Sequence, residues 1–229
     1  TMIQRYGLTE EDYRCGPFQA CIKELKGNNE CLNLTRPDII KAIHKEYIEA
    51  GADIIETNTF SANRISQSEY GCENHAAQMA YAGARLAREA ADEAGRKVLT
   101  AGSIGPTSKS LSLSPDVSDP AFRPYTFDDM YNAYREQAEA LIRGGVDLIL
   151  IETCFDALNT KAALAAISDC GTDVPVMISV SVGDRSGRTL TGQTLEAFYT
   201  SVRHYPVVSF GLNCSLGAAE LQPLIEDIG

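Results

Sequence analysis

The feature of this sequence that most constrains its fold is a regular alternation of two patterns. Short runs rich in β-branched and other apolar residues are separated by longer stretches with helical spacing. Five such runs predict β-strands, at residues 53–57, 98–102, 147–152, 176–180 and 207–213. Their near-continuous hydrophobicity is typical of strands covered on both faces. The alternation predicts an α/β protein built from βα units around a parallel sheet.

The stretches between the strands carry helix start and stop signals. Pro37 is placed as a first-turn residue and Gly51 as a stop, while Thr126 and Asp129 have the spacing of a capping box. The predicted helices begin near residues 37, 74, 126, 158, 194 and 217 and end near residues 51, 94, 144, 169, 203 and 227. Residues 105–125 lack any such pattern, and an ordered loop of this length is usually functional.

Polar side chains follow every predicted strand. They are Glu56, Thr57 and Asn58; Ser103; Glu152, Thr153 and Cys154; Ser179 and Ser181; and Asn213, Cys214 and Ser215. In parallel α/β folds this edge of the sheet carries the active site. Because no strand is followed by a G-x-G-x-x-G or Walker motif, the pattern favours a (β/α)8 TIM barrel over a doubly wound sheet. A barrel needs eight strands and about 250 residues, so we predict an incomplete barrel of about five βα units.

The charge balance and the apolar runs exclude two classes of partner. The chain has 31 acidic and 20 basic residues, a formal net charge of −11, and no stripe rich in Lys and Arg. A binder of nucleic acid would need such a stripe to neutralise phosphates. Unbroken apolar runs, such as residues 148–151, are far shorter than the roughly 20 residues of a membrane span. We therefore predict neither nucleic acid nor a membrane as a partner.

The seven cysteines are scattered, odd in number and without a C-x-x-C pair. This pattern argues against a disulfide framework and predicts a reducing, cytoplasmic setting. Cys15, Cys21, Cys31, Cys72 and Cys170 are interpreted as small buried side chains or incidental surface groups. The histidines, at positions 44, 75 and 204, fall in predicted helices or at their ends, so they are assigned to the surface.

Segments spread over nearly the whole chain resemble the homocysteine-binding domain at the N-terminus of cobalamin-dependent methionine synthases. They are Leu-Lys-Gly-Asn-Asn (25–29), Gly-Ala-Asp-Ile-Ile-Glu-Thr-Asn-Thr-Phe (51–60), Gly-Pro-Thr (105–107), Ser-Pro-Asp-Val (114–117), Leu-Ile-Glu-Thr (150–153), Ser-Gly-Arg-Thr-Leu (186–190) and Gly-Leu-Asn-Cys (211–214). That domain is a (β/α)8 barrel that uses zinc to activate homocysteine. The resemblance implies the same fold and a methyltransferase activity.

Two parts of the family pattern are missing from the chain. Only Thr1-Met2 resembles the tail of the family's Asp-Gly-Ala-Met-Gly-Thr turn, and the Gly-Gly-Cys-Cys-Gly motif that supplies two zinc ligands is not reached. The resemblance therefore implies that residues 1–229 are one barrel domain truncated at both ends, without the first strand and the last two. This agrees with the shortfall in the strand count. We expect the isolated chain to be inactive and to associate through its open sheet edges.

The resemblance also assigns roles to strand-end residues. Cys214 is implied to be the first of three cysteine ligands of zinc, and Glu152 to bind the ammonium group of homocysteine. Asn58 and Asn213 are further candidates for substrate contact, although polar packing is an equal alternative for them and for Glu56. Cys154 is interpreted as a neighbour of the site, because the family's ligand pattern does not use that position.

Three functions remain open at this point. The first is methyl transfer to homocysteine from methylcobalamin that is carried on another domain and recharged from methyltetrahydrofolate, with the folate- and cobalamin-binding domains as partners. The second uses a betaine or a sulfonium donor such as S-methylmethionine. The third is a noncatalytic fragment that retains part of the fold. Residues 26–29 and 114–117 favour the first of these.

Overall fold

The fold is centred on one parallel sheet of five strands. The computed structural model describes residues 2–226 and 228. The strands are β1 (Ile54–Glu56), β2 (Leu99–Ile104), β3 (Leu148–Cys154), β4 (Val176–Val180) and β5 (Val207–Leu212). They lie side by side in chain order, and every neighbouring pair is parallel. All five predicted strands are confirmed, and β2 and β3 each run two residues further than the sequence indicated.

Helices connect the strands, as the periodicity predicts. They are α1 (Glu10–Tyr13), α2 (Leu32–Thr35), α3 (Pro37–Glu49), α4 (Arg64–Gln67), α5 (Ala76–Asp92), α6 (Phe127–Gly144), α7 (Ala157–Ser168), α8 (Leu195–Val202) and α9 (Ala218–Glu226). The six predicted helices are confirmed. The short helices α1, α2 and α4 were not predicted, because one turn is too short to establish a period. The predicted end of the last helix, at residue 227, and both chain ends, at 1 and 229, lie outside the described residues.

The capping box predicted at the start of α6 is present. The Thr126 backbone N–H donates to Asp129 at 2.8 Å, and the Asp129 N–H donates to the Thr126 hydroxyl at 3.2 Å. The helix ends at Gly144 and is followed by Gly145, the C-cap residue, which has a left-handed φ of 90°. A side chain there would be strained, so glycine fixes the direction in which the chain enters β3.

The helices α5 and α6 approach each other closely on one face of the sheet. A Cβ atom at Gly144 would lie 2.4 Å from the Cβ of Ala84, so this contact requires a glycine. The buried core around it contains Met79, Met130 and Leu141. These side chains hold α5 and α6 against β2, which positions the end of that strand.

The sheet is open in the part of the chain that the structure describes. β1 and β5 are its edges, and each pairs with a neighbouring strand on one side only. This arrangement is consistent with an incomplete TIM-barrel-like fold, as predicted. Of the helices in residues 2–226, none combines the length and apolar character needed to cross a lipid bilayer.

The assignment of the three histidines to the surface was wrong for one of them. His44 lies on the inner face of α3 and is only 5% exposed. Its Nε2 has no hydrogen-bond partner, and burial lowers its pKa to about 4. His75 is half-buried with its ring edge-on to Phe18, and His204 is exposed as expected. The helical pattern is compatible with His44 on either the buried or the exposed face of α3. His44 is buried because the face that carries it packs towards β1.

Candidate functional site

The carboxyl ends of the strands bring polar side chains to one edge of the sheet. β2 ends beside β3, and β4 ends beside both β3 and β5. Hydrogen bonds therefore form between residues far apart in the sequence, such as Ser103 with Glu152 and Ser179 with Asn213. This edge is the candidate site.

Glu152 is half-buried and held by two hydroxyl groups. The Ser103 hydroxyl donates to its Oε1 at 2.5 Å, and the Thr153 hydroxyl donates to its Oε2 at 3.4 Å. A carboxylate with two oxygens can accept about four hydrogen bonds. Glu152 therefore keeps acceptor capacity for a cationic group.

A network of buried hydroxyl and amide groups lies beneath Glu152. The Thr57 and Thr59 hydroxyls are 2.6 Å apart, the Ser103 backbone N–H donates to Thr57 Oγ1 at 2.9 Å, and Thr59 Oγ1 donates to the Ser103 carbonyl at 2.7 Å. Gln137 of α6 donates to the Thr59 carbonyl at 2.7 Å. Sequence reasoning did not single out Gln137, although its polar side chain falls on the buried stripe of α6 beside Tyr134 and Ala138.

Asn213 connects this region to Cys214. Its Nδ2 donates to the Thr153 hydroxyl at 2.9 Å and to the Cys214 Sγ at 3.2 Å. Its Oδ1 accepts a hydrogen bond from the Ser179 hydroxyl at 2.7 Å. Through Thr153, three of the four predicted site residues, Glu152, Asn213 and Cys214, belong to one hydrogen-bonded chain.

The polypeptide backbone at the candidate site is strained at three residues. Thr153, Cys214 and Ser215 have φ values of 58°, 62° and 61°, and they are the non-glycine residues with positive φ in the part of the chain that the structure describes. Such conformations cost roughly 1–3 kcal/mol each and concentrate at functional sites. Cys214 is therefore held in a costly conformation that leaves its thiol exposed.

Glu56 and Asn58 lie on the β1 side of the edge. The Glu56 side chain reaches solvent, yet the crowding of surrounding protein atoms and the neighbouring Glu152 carboxylate raise its pKa. The Asn58 side chain donates to the Asn29 carbonyl at 2.8 Å and to Asn33 Oδ1 at 3.0 Å. Asn58 is thus bonded to the segment before α3 and is not part of the chain that joins Glu152 to Cys214.

A cavity of about 530 Å³ opens beside β1. Its lining includes His44, Ile54 and Glu56 together with Asn58, but not Glu152 or Cys214. The cavity therefore touches only the β1 side of the candidate site.

The loop at 105–125 is fixed to the site by Asp156, the N-cap residue of α7. This buried carboxylate accepts hydrogen bonds from the hydroxyls of Ser110 and Ser112 and from the backbone N–H groups of Ser112 and Leu158, at 2.5–3.0 Å. The loop begins at Gly105, where a Cβ atom would lie 2.7 Å from the Phe60 ring. The functional role expected for the loop stays a prediction. Asp156 itself was not predicted.

The donor set for a metal ion contains one accessible thiol. Cys214 is exposed, whereas Cys154 is buried and its pKa is raised to about 12 by that burial. Among residues 2–226 and 228, no three His, Cys, Asp or Glu side chains are grouped so that they could hold a metal ion. The described residues thus fit one soft ligand of a zinc site but not a complete site.

The fold and the polar edge define the class as α/β proteins of the TIM-barrel type, with functional groups at the carboxyl ends of the strands. A sequence model described as homocysteine S-methyltransferase matches residues 1–229. The chain therefore belongs to the homocysteine S-methyltransferase family. Membership makes it a methyltransferase domain whose substrate class is homocysteine.

Three crystal structures of the homocysteine methyltransferase MmuM from Escherichia coli have similar folds. The metallated form has a TM-score of 0.77 at 20% sequence identity, over 99% of this chain and 75% of that chain. The oxidized form has a TM-score of 0.74 at 20% identity, over 92% and 73%. The apo form has a TM-score of 0.66 at 20% identity, over 90% and 73%. At 20% sequence identity, these structural similarities establish the fold and nothing more.

Proposed function

We propose that this chain is the homocysteine-binding domain of a cobalamin-dependent methionine synthase. In this proposal Glu152 binds the substrate ammonium group and Cys214 is a ligand of zinc. The observation that carries the proposal is the hydrogen-bonded chain from Glu152 through Thr153 and Asn213 to Cys214. It joins a carboxylate and a thiol, the two groups that an amino acid with a sulfur nucleophile would need, at the edge where barrel enzymes act.

The residues at the site prepare both ends of the substrate. Glu152, already oriented by Ser103, offers a charge-assisted hydrogen bond to an ammonium group. Asn213 is proposed to orient Cys214 through its 3.2 Å N–H···S contact and to contact the substrate. Asn58 is proposed as a substrate contact from the β1 side. Its amide N–H groups are used by Asn29 and Asn33, which leaves its Oδ1 as the atom for that role.

Zinc would supply the Lewis acid that keeps the homocysteine sulfur as a thiolate at neutral pH. In the proposal Cys214 is one of its ligands, and the remaining ligands lie outside the set that the structure describes. The methyl donor is proposed to be methylcobalamin on another domain, with the folate- and cobalamin-binding domains as partners.

A second candidate is a noncatalytic piece of such a domain. The observation that favours it is the incomplete donor set, since no grouping of three potential ligands exists among the described residues. Residues 1–229 would then lack the first strand and the last two strands of the barrel, and would hold zinc weakly through a single thiolate.

A donor assay on the chain separates these functions. Purified protein supplied with zinc and homocysteine is given methylcobalamin, S-methylmethionine or betaine in parallel, and methionine is measured by mass spectrometry. Methionine from methylcobalamin alone supports the proposal, and methionine from another donor overturns it in favour of that donor class. Residues 1–229 by themselves are expected to give no product under either function, so the same assay is run on a parent protein that supplies the remaining zinc ligands. No product from that protein, with substoichiometric zinc, supports the noncatalytic alternative. Cys214→Ser should abolish any activity, whereas the matched control Cys170→Ala, in the turn after α7, should not.

A further inference from the structure

A second group of cysteines lies outside the strand-end site. Cys21 and Cys72 are 51 positions apart in the chain, and their sulfur atoms are 3.8 Å apart. The third member, Cys31, is fully buried beside Cys72, which contributes to raising the Cys31 pKa after the dominant effect of burial. Neither Cys21 nor Cys72 has a role in the proposed methyl transfer.

The two sulfurs differ in their access to solvent. Cys21 is partly exposed, in an irregular segment whose neighbours Ala20, Ile22 and Lys23 are exposed. Cys72 is 0% exposed and follows Gly71 at the end of a turn. A small oxidant therefore reaches Cys21 first, and Cys72 lies directly behind it. This is the arrangement of an attacking and a resolving thiol.

The two sulfurs are close enough for a disulfide to form after a small movement. A disulfide needs an S–S distance of about 2.05 Å, which is shorter than the observed separation by roughly 1.8 Å. The Cys21 backbone is held in place, since its N–H donates to the Phe18 carbonyl and its carbonyl accepts from Arg14. Closure therefore depends on rotation of the two cysteine side chains. The segment is also kept close to Cys72, because Lys23 Nζ donates to the Ser68 carbonyl at 3.1 Å and the Glu69 carbonyl at 2.7 Å.

We propose that Cys21 and Cys72 are a peroxide-sensitive modification site that closes to a reversible intrachain disulfide. The Cys21 thiolate attacks one oxygen of a hydroperoxide, the O–O bond breaks, and Cys21 becomes a sulfenic acid as the peroxide is reduced. Cys72 then attacks the Cys21 sulfur. The S–S bond forms, the S–O bond breaks, and the departing hydroxide takes the Cys72 proton as water. With hydrogen peroxide the balance is two thiols and one peroxide giving one disulfide and two waters.

Burial keeps the resolving thiol protonated until that step. It raises the pKa of Cys72 to about 12, with Cys21 adding to the effect. The buried thiol is therefore protected from direct oxidation, and its attack on Cys21 depends on the 3.8 Å separation of the two sulfurs. The site is independent of the methyl-transfer proposal.

Peptide mapping after treatment with hydrogen peroxide tests the inference. The whole chain is oxidised, free thiols are alkylated, and the protein is digested with trypsin. The expected product is residues 15–23 joined to residues 65–85, absent before treatment and formed by most chains after it, with loss on reduction by dithiothreitol. Because residues 15–23 also contain Cys15, the Cys15→Ala variant should keep the cross-link and the Cys21→Ala variant should lose it.

Two results would overturn the inference. One is a cross-link that persists in Cys21→Ala or joins Cys31 to Cys72. The other is oxidation of the exposed Cys214 with no linkage of Cys21 at any peroxide dose. The far-UV circular dichroism of each variant shows that its fold is retained, which is expected because Cys21 lies in an exposed segment.

Discussion

The Ser103 hydroxyl donates a 2.5 Å hydrogen bond to Glu152 Oε1 and so joins the ends of β2 and β3. Ser103 is fully enclosed, whereas Glu152 is half-exposed at the edge of the sheet. The bond therefore connects the buried hydroxyl network to the carboxylate proposed to bind substrate. Substitutions of Glu152 and of Ser103 each test what this hydrogen bond contributes to homocysteine binding.

Replacing Glu152 by glutamine is expected to weaken homocysteine binding and leave zinc content unchanged. The variant loses the negative charge that attracts the ammonium group, which is worth about 1.5–3 kcal/mol, or roughly a tenfold to hundredfold loss of affinity. Titration calorimetry with homocysteine and metal analysis on the same preparation provide the two readings. Glu24→Gln, at an exposed loop position, is the matched control. Equal losses of homocysteine and zinc affinity would show that Glu152 is structural.

Removing the Ser103 hydroxyl tests whether Glu152 needs to be positioned. Ser103→Ala is expected to lower homocysteine affinity by about fivefold to tenfold, since one hydrogen bond to a charged group is lost while the charge remains. The same titration measures this loss. Ser118→Ala, in the exposed part of the loop at 105–125, should bind homocysteine normally. Unchanged affinity in Ser103→Ala would contradict a positioning role.

The buried histidine predicts a pH dependence of stability. In the unfolded chain His44 takes up a proton below its ordinary pKa of 6.5, whereas in the folded chain it remains neutral until about pH 4. The unfolded state therefore binds more protons between these values, and stability is lost as pH falls from about 6.5 to 4, by at most about 3 kcal/mol. Urea unfolding of the wild type and His44→Leu at pH 7.5 and pH 5 measures the difference.

The His44→Leu variant should be as stable as the wild type at pH 7.5, because the Nε2 it removes has no hydrogen-bond partner. Its stability should then fall less on acidification. The exposed His204→Gln variant serves as the control and should retain the wild-type profile. Identical pH profiles for His44→Leu and the wild type would refute this account.

Asp156 is expected to hold the loop at 105–125 in place. Asp156→Ala removes the N-cap of α7 and leaves the Ser110 and Ser112 donors without their acceptor, which should cost about 2–4 kcal/mol. Urea unfolding measures the cost, and limited proteolysis should show faster cutting at Arg123. Asp156→Asn retains one acceptor oxygen, so its free energy of unfolding should lie between those of Asp156→Ala and the wild type. A proteolysis rate unchanged in Asp156→Ala would argue against the anchoring role.

The open edges of the sheet predict self-association. Ile54 of β1 is 44% exposed and Val208 of β5 is 66% exposed, and edge strands with apolar side chains readily pair with other chains. Light scattering should show an apparent mass that rises with concentration, and the double variant Ile54→Lys with Val208→Lys should reduce this rise. Ile22→Lys, at an exposed position away from the sheet, should not. A constant monomer mass for the wild type would disprove the prediction.

Much of the fold could be predicted because the strands form short apolar runs and the helices have clear ends. The expectation that the strands are covered on both faces fits the central strands β2, β3 and β4 best and is wrong for the edge strands β1 and β5, which keep exposed or half-buried residues. The strand at 147–152 and the capping box at Thr126 and Asp129 are local signals that need no tertiary information. The burial of His44 could not be predicted, since its helical position is compatible with either face. The short helices α1, α2 and α4 were missed for a different reason, because four residues are too few to show a helical period.

The sequence predicts where the candidate site lies, but not which residues hydrogen-bond to one another there. Strand ends in a parallel sheet meet at one edge, which is why Glu152, Asn213 and Cys214 could be grouped from the sequence. Gln137 of α6 and Asp156, the N-cap residue of α7, become neighbours of the site only through tertiary packing. No pattern in the sequence indicates that Thr153 and Cys214 adopt left-handed backbone conformations, because neither residue type favours them.

The hydroxyl network beneath Glu152 has a consequence for the entropy of ligand binding. Ser103 and Thr153 restrict the Glu152 rotamer in the protein alone, so the carboxylate loses its conformational freedom on folding and not on binding. Immobilising a flexible side chain at an interface costs about 0.5–1.5 kcal/mol. A ligand that meets this preorganised carboxylate avoids that cost, and part of its affinity is then set by residues it never touches.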